Sequence, residues 1–479
     1  MARLLLRYLV LGGMLLLTFY STIINFKEVE RKPILEVREK SMRGKRSIEK
    51  PTSPLLATRR KPRKLFDGGS FSNVSDKDLE TILENSLLDG HYDERGKYKN
   101  YANVFLADKY LELSKEAACV ATHGTVDAIK KIFQFIKNWK GMISLALFAP
   151  SYEYFIAIVY IKHLRMCHAS MRDQISWHLS LPKEIPPTLK YLHFLRRKFN
   201  CSVTGVQITN LLLAEVSDED KKEVENLRYP QNAMRNLARR FCKTEWVLCP
   251  DVDMVFPDTL PNSESMHSKL NRFLKSDKAR NCEKCAFVFP VYEIENMKGR
   301  VPESKAALLQ YLAEKKAQIY HITIFAPNQL SSNLSVWEKL PLLPDVDIAL
   351  PVDFNFYYEP VYVTRHGSPK FDERYIGYGM TRNTQALEMH LDGYRFFVLD
   401  SIFLSHLWGI LENKPLPQSA PRKRQLQLNI KLFYTFFIRE LALKYQINID
   451  NEVLAKIGRR PTKFTYLPKV NIVYSNNKS

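Results

Sequence analysis

The sequence predicts an α/β fold, a mostly parallel sheet flanked by helices, held behind an N-terminal transmembrane anchor. Three observations carry this. Of 479 residues, 45% are hydrophobic and 12% aromatic, enough to bury a sizeable core, which excludes a disordered chain. An apolar run extends from Tyr8 to Phe26, closed by Lys27. From about Leu113 onward, strand-like and helix-like segments alternate, the pattern of βαβ units around a parallel sheet.

The elements follow in order. Residues 1–7 form a short tail containing Arg3 and Arg7, and residues 8–26 the anchor. Nineteen residues at helical rise span roughly 28 Å, close to the hydrocarbon thickness of a bilayer. No Ala-x-Ala pattern follows the run, so an uncleaved signal anchor fits better than a cleaved signal peptide. A short tail before the span and a long chain after it favour a single-pass protein with its bulk in the secretory lumen. Residues 27–112 are read as a basic stem and lead-in, 113–415 as the main domain and 416–479 as a C-terminal helical extension.

The net charge is +20. Residues 27–64 hold 14 Lys/Arg against 5 Asp/Glu, so with Arg3 and Arg7 the first 64 residues carry +11. The basic excess therefore lies mainly before the folded domain, which argues against nucleic acid as a partner. Four triplets fit the N-glycan acceptor pattern, at Asn73, Asn200, Asn333 and Asn477, and a lumenal domain makes them meaningful. Cys282-Glu283-Lys284-Cys285 stands without a second such pair; a lumenal disulfide, within this pair or to another cysteine, fits better than a zinc half-site.

Within the main domain, residues 117–122 read as a buried strand followed by a His123-Gly124 turn, and Val126–Trp139 as a helix. Met142–Phe148 reads as a strand, Tyr152–Met166 as a helix, and Ile175–Leu179 and Ser202–Ile208 as further strands. Gln231–Phe241 reads as a helix, Glu245–Leu248 as a strand, and Gln425–Tyr445 as a long amphipathic helix packed on the core. No Gly-x-Gly-x-x-Gly and no Walker lysine loop is present, which argues against dinucleotide-binding and P-loop chemistry.

Chemistry concentrates in three patches. The strand-like stretch from Glu245 ends in Asp251-Val252-Asp253. In an extended chain two residues at i and i+2 share a side, and the end of a parallel strand opens on the crevice where α/β sheets bind ligands. Paired carboxylates there call for a cation, and hard oxygen donors suit Mn²⁺ or Mg²⁺ sharing its shell with substrate phosphates. On the helix from Gln231, the residues Asn232, Arg235, Asn236 and Arg239 share one side. That side is either a solvated face or one on which Asn232 and Arg235 meet a nucleotide and its phosphates. The third patch holds Asp372 and Glu373 as candidate general bases and Gly377 and Gly379 for close backbone approach to a ligand. It ends with a strand leading to His406, a possible metal ligand.

Taken together, Tyr229-Pro230-x-Asn232-x-x-Arg235-Asn236-x-Ala238, then Asp251-Val252-Asp253-Met254, then Phe371-Asp372-Glu373-Arg374-Tyr375-Ile376-Gly377-Tyr378-Gly379, then His406 resemble glycosyltransferase family 49 over roughly residues 114–410. The resemblance implies a GT-A-type nucleotide-diphospho-sugar transferase fold and a type II Golgi membrane protein. It implies an inverting transfer, dependent on Mn²⁺ (Mg²⁺ as the alternative), from a UDP-sugar donor to a glycan or glycoprotein acceptor. It matches Asp251, Asp253 and His406 to metal ligands, Asp372 (with Glu373 beside it) to the catalytic base region, and Thr122 to a uridine-side position. Arg365, Arg374 and Arg382 are equal candidates to meet a donor carboxylate. Glucuronic acid is the expected sugar, with N-acetylglucosamine or another UDP-sugar as the alternative, and a partner glycosyltransferase is a further expectation. A chaperone or glycan-binding protein that keeps the fold without turnover is the competing class. The chain departs from the family pattern at His406-Leu407-Trp408-Gly409, where relatives often read His-x-Pro-His, and at Met380-Thr381-Arg382.

Overall fold

The alternation of apolar strands and helices produces a large central sheet. The computed structural model describes residues 75–258, 260, 263–295, 300–406 and 420–446. The expected anchor, the stem to residue 74 and the Leu407-Trp408-Gly409 departure lie outside the described residues. Among the described residues, no helix is long and apolar enough to cross a membrane.

The strands are β1 (His91–Tyr92), β2 (Tyr98–Phe105), β3 (Ala118–Thr125), β4 (Ile143–Phe148), β5 (Ile175–Pro182), β6 (Trp246–Leu248), β7 (Met254–Val255), β8 (Cys285–Phe289), β9 (Val291–Ile294), β10 (Ala317–Ile319), β11 (Asp347–Pro351), β12 (Val361–Arg365), β13 (Arg395–Asp400) and β14 (Leu404–His406). Ten of them form one sheet in the order β1-β2-β5-β4-β3-β6-β12-β8-β13-β11; β10-β9-β14-β7 form a second. β3, β4 and β5 are buried almost throughout, as expected for strands covered on both faces. Trp139, Trp177 and Trp246 fill the space around them. The helix Glu153–Cys167 is apolar nearly all round and correspondingly buried.

The sheet is mixed, which corrects the mostly parallel expectation. β5, β4, β3 and β6 run parallel to one another, as do β8 and β13. The β1/β2, β2/β5, β6/β12, β12/β8 and β11/β13 contacts are antiparallel. Parallel neighbours need a crossover of a dozen or more residues. Helical crossovers of that kind recur only up to β6, and β12 then enters from the opposite end. The fold also starts before residue 113, because β2 pairs along β5 from Tyr98↔Pro182 to Phe105↔Trp177.

Two local readings are corrected. His123-Gly124 is not a turn: β3 continues through it, and Gly124 is small because a Cβ there would stand 2.7 Å from that of Ala128. Ser202–Ile208 is not a strand. Thr204 caps a helix over Gly205–Ala214, accepting from the Gln207 amide while Gln207 Oε1 accepts from the Thr204 amide. That reciprocal cap outweighs the apolar run behind it. Disulfides join Cys282 to Cys285, Cys119 to Cys242 and Cys167 to Cys201, leaving Cys249 free and buried.

Candidate active site

The site begins where β6 ends. Leu248 is followed by Cys249 and Pro250, and the Pro250 carbonyl accepts from Thr122 Oγ1 on β3 (3.0 Å). The chain then turns, with the Met254 amide donating to the Asp251 carbonyl at 2.9 Å. Asp251 and Asp253 thus sit on a turn, not on an extended strand, and their side chains diverge.

Asp251 points to a basic group. Its Oδ1 accepts from Arg235 Nη2 at 3.0 Å and from Arg382 Nη2 at 2.9 Å, and lies 3.5 Å from His123 Nε2. Burial opposes its charge, but Arg382, Arg235 and His123 outweigh that and hold the carboxyl well below the usual range. Burial, reinforced by Arg235, pushes the His123 imidazole down, so it stays neutral against Tyr229 Oη at 2.7 Å.

Asp253 points to a second group. Its Oδ2 accepts from Lys131 Nζ at 2.7 Å, and its Oδ1 lies 3.7 Å from His406 Nε2. The sheet register produces this second approach: β14 runs antiparallel to β7 with His406 opposite Met254. The Tyr320 ring stands edge-on to His406 with centroids 5.0 Å apart, and His321 stacks on Tyr320 at 3.8 Å. Burial, with His406 adding, lowers the His321 pKa to about 4.

The remaining expected residues have other surroundings. Thr122 and Asn232 are wholly buried. Asn232 donates to the carbonyls of Asp372 (2.9 Å) and Thr381 (3.1 Å) and accepts from Arg235. Asn236 bonds the backbone of Phe371 and the Glu373 carboxylate, and Arg239 the carbonyls of Pro369 and Ser368. The polar side of the Gln231–Phe241 helix therefore faces inward as a rack for the 368–381 loop. Its polar groups are satisfied by backbone atoms that would otherwise be unpaired.

Asp372 is clamped by Arg374, whose Nη2 lies 2.6 Å from its Oδ2. Burial pushes the Glu373 carboxyl up, and the Asp93 carboxyl beside it adds to that. Both line a cavity of about 480 Å³ with Arg95, Phe371, Phe437 and Lys444, and that lining does not include Asp251, Asp253 or His406. Asn232 and Arg235, together with Arg382 at the end of the 368–381 loop, link the two sets of expected residues. Gly377 and Gly379 approach the C-terminal helix: a Cβ would stand 2.7 Å from Gln425 Cγ at the first and collide with Leu426 Cδ1 at the second. Of the three arginines, Arg365 pairs with Glu245 at the other end of β6, Arg374 holds Asp372 and Glu440, and only Arg382 joins the Asp251 group.

Sequence reasoning gave no functional role to His123, Lys131, Tyr320 or His321, and placed Glu359 at the start of the third patch without one. The first two had a signal, since the carboxyl end of β3 opens on the same crevice as that of β6. Glu359 lies two residues before β12, on the side leading toward the Asp251 turn, and its Oε2 accepts from Asn328 Nδ2 at 2.8 Å. Burial pushes its carboxyl up to about 7, although Arg382 and Arg235 oppose that. From about 4.5, its ordinary value, to about 7 the folded state holds this proton more firmly than the unfolded chain. Stability from this group is therefore greatest at low pH and is lost as pH rises through that window. Glu359→Gln removes the effect, so the melting temperature of the wild type should fall relative to the variant between pH 4.5 and 7. Parallel curves would refute the assignment.

As a metal site the donor set is chemically apt. Two carboxylates and an imidazole suit Mn²⁺. Among the described residues His406 Nδ1 is buried without a partner, and no hydrogen bond engages Asp251 Oδ2. Among the described residues, no three His, Cys, Asp or Glu side chains stand close enough together to enclose an ion alone.

A family model described as glycosyl-transferase for dystroglycan matches residues 117–446. The chain is 28% identical over 361 residues to β-1,4-glucuronyltransferase 1 of Bos taurus, covering 74% of this chain and 81% of that protein. The Homo sapiens protein of the same name is 27% identical with the same coverage. Xylosyl- and glucuronyltransferase LARGE2 of Mus musculus is 26% identical over 179 residues, covering 37% of this chain and 24% of its own length.

Proposed function

Because the chain belongs to glycosyltransferase family 49 and is a transferase enzyme, we propose that it moves glucuronic acid from UDP-glucuronate to a glycan acceptor, with inversion, in the Golgi lumen. The observation that carries the reading is the Asp251–Asp253 turn at the end of β6, with His406, opposite Met254 in the β14/β7 register, brought within 3.7 Å of Asp253. The glucuronate is supported by the names of the relatives, which are glucuronyltransferases.

Asp253 and His406, with Asp251 beside them, would hold Mn²⁺, which would offset the charge of the UDP leaving group. Arg235 and Arg382 keep Asp251 ionised and fixed in orientation. Lys131 brings positive charge to the same turn, suited to a diphosphate or a donor carboxylate. The acceptor proton would pass to a carboxylate, with Asp372 and Glu373 as the family-matched candidates. Both line the cavity under the 368–381 loop, so a base role there needs that loop to meet the acceptor. A GT-A arrangement is supported by the neighbouring parallel strands β5, β4, β3 and β6, the last of which leads into the Asp251 turn. Three disulfides support an oxidising compartment, in keeping with a type II anchor at residues 8–26.

The test is UDP release by the full chain in detergent, across a panel of UDP-sugars, with Mn²⁺ and with EDTA. Release from UDP-glucuronate that EDTA abolishes is the expected result. Release from another UDP-sugar would replace the donor, release that survives EDTA would remove the metal, and absence of UDP binding would overturn the reading.

A further inference from the structure

The two carboxylates of the Asp251–Asp253 turn are both met by cationic side chains, but of different kinds. Asp251 is met by Arg235 and Arg382, whose side chains are 5% and 7% exposed. Asp253 is met by Lys131, whose side chain is 30% exposed. Two buried guanidiniums cannot leave a carboxylate without stranding charge. A part-exposed ammonium can, because water takes up its charge and an ion pair of this kind is worth little. Its four-carbon stem also lets it re-aim a point charge, which a planar guanidinium fork does less readily.

The Lys131 stem is anchored at its base. Lys131 ends the 3₁₀ turn Val126–Lys131 that follows β3, and the chain passes straight into the helix Ile132–Asn138. That helix is tied to the chain just beyond Asp253. Asn138 Nδ2 donates to the Phe256 carbonyl at 2.7 Å, and the Phe135 ring stands edge-on to that of Phe256. The Lys131 backbone is therefore held beside the turn, while its side chain stays partly in solvent. Lys131 Nζ contacts Asp253 Oδ2, and His406 Nε2 approaches the other oxygen, Oδ1.

We propose that Lys131 is a displaceable counter-ion that couples cation binding to donor binding: a divalent cation competes with it for Asp253 Oδ2, and the displaced ammonium meets the diphosphate of the donor. The proposal rests on the reading of Asp253 as a cation ligand and goes beyond it. An ammonium and a divalent ion at one carboxylate oxygen repel each other, so a cation binding by itself has to send Lys131 into water. When a diphosphate binds as well, the ammonium gains a new anion and the repulsion is relieved. Cation and diphosphate then tighten each other's binding, by the same factor in each direction. A lysine that stayed on Asp253 as a fixed clip would create no such coupling.

The test follows Mn²⁺ binding to the full chain in detergent, with and without UDP, by the loss of the free-ion electron paramagnetic resonance signal. Lys131→Met keeps most of the stem and removes the charge, Lys131→Arg keeps the charge, and Asp253→Asn identifies ions bound elsewhere. Without UDP, Lys131→Met should bind Mn²⁺ about tenfold more tightly than the wild type, and Lys131→Arg no more tightly. UDP should tighten Mn²⁺ binding in the wild type, and by a factor about tenfold smaller in Lys131→Met. Mn²⁺ affinity without UDP that is unchanged or weaker in Lys131→Met overturns the proposal. So does tighter binding in Lys131→Arg, or a UDP effect of equal size in the wild type and Lys131→Met. A wild type that binds no Mn²⁺ through Asp253 even with UDP gives a different result, which removes the cation reading and the proposal together.

Discussion

Asp253→Asn should lower sugar transfer by about a hundred- to a thousandfold and leave the melting temperature nearly unchanged, while Asp251→Asn should damage both. The motif treats its two carboxylates as equivalent; their surroundings do not. Asp253 is partly exposed between Lys131 and His406, so an amide there removes charge from the open side of the turn and strands little. Asp251 Oδ1 is the shared anion of two buried guanidiniums, Arg235 and Arg382. Removing its charge leaves both facing each other, and breaking such a buried pair costs about 3–5 kcal/mol. Thermal melts beside UDP-release rates separate the cases. Asp253→Asn at wild-type activity would remove Asp253 from the chemistry. Asp251→Asn at wild-type stability would contradict the arginine clamp.

The same distinction shows what the sequence could and could not tell. The Gln231–Phe241 helix is observed with the expected ends, because its polar side repeats at helical spacing and Pro230 precedes it. The direction of that side was not legible. A stripe of Asn232, Arg235, Asn236 and Arg239 has the pattern of a solvated face, and only the later 368–381 loop, about 130 residues on, supplies the carbonyls that let it face inward. Gly377 and Gly379 mislead for a related reason. Positive φ at both is the requirement glycine signals, but the close neighbour is the C-terminal helix and not a ligand. The strand leading to His406 made it a possible metal ligand, but its pairing with Asp253 was matched only through family resemblance, since 153 residues of chain separate them and a β14/β7 register of two residue pairs sets their approach. The antiparallel half of the sheet left no periodic trace, because β8, β12 and β13 read as short apolar runs whatever their direction.

Lys305→Met should destabilise the fold by about 3–5 kcal/mol, although the residue lies outside the Asp251–Asp253 turn. Lys305 and Asp400 are almost fully buried, and Nζ lies 2.8 Å from Asp400 Oδ1. The ammonium also sits 4.2 Å from the centre of the Trp337 ring, and the same Oδ1 accepts from the Ser401 amide at 2.7 Å. Methionine fills much of the volume but leaves a carboxylate in an apolar interior with one amide for company. Adding Asp400→Asn should recover part of the loss, because the amide needs no counter-charge. The pair matters to the site through chain geometry. Asp400 ends β13, Ser401 takes a positive φ of 59°, and five residues later His406 reaches Asp253. A loosened Lys305 anchor should therefore weaken Mn²⁺-dependent UDP binding in the protein that remains folded. Isothermal titration below the melting transition checks that, beside denaturant unfolding of the single and double variants. If Lys305→Met unfolds like the wild type, the buried pair is not a determinant of stability; if it unfolds early yet binds UDP normally, β13 and β14 are positioned independently of it.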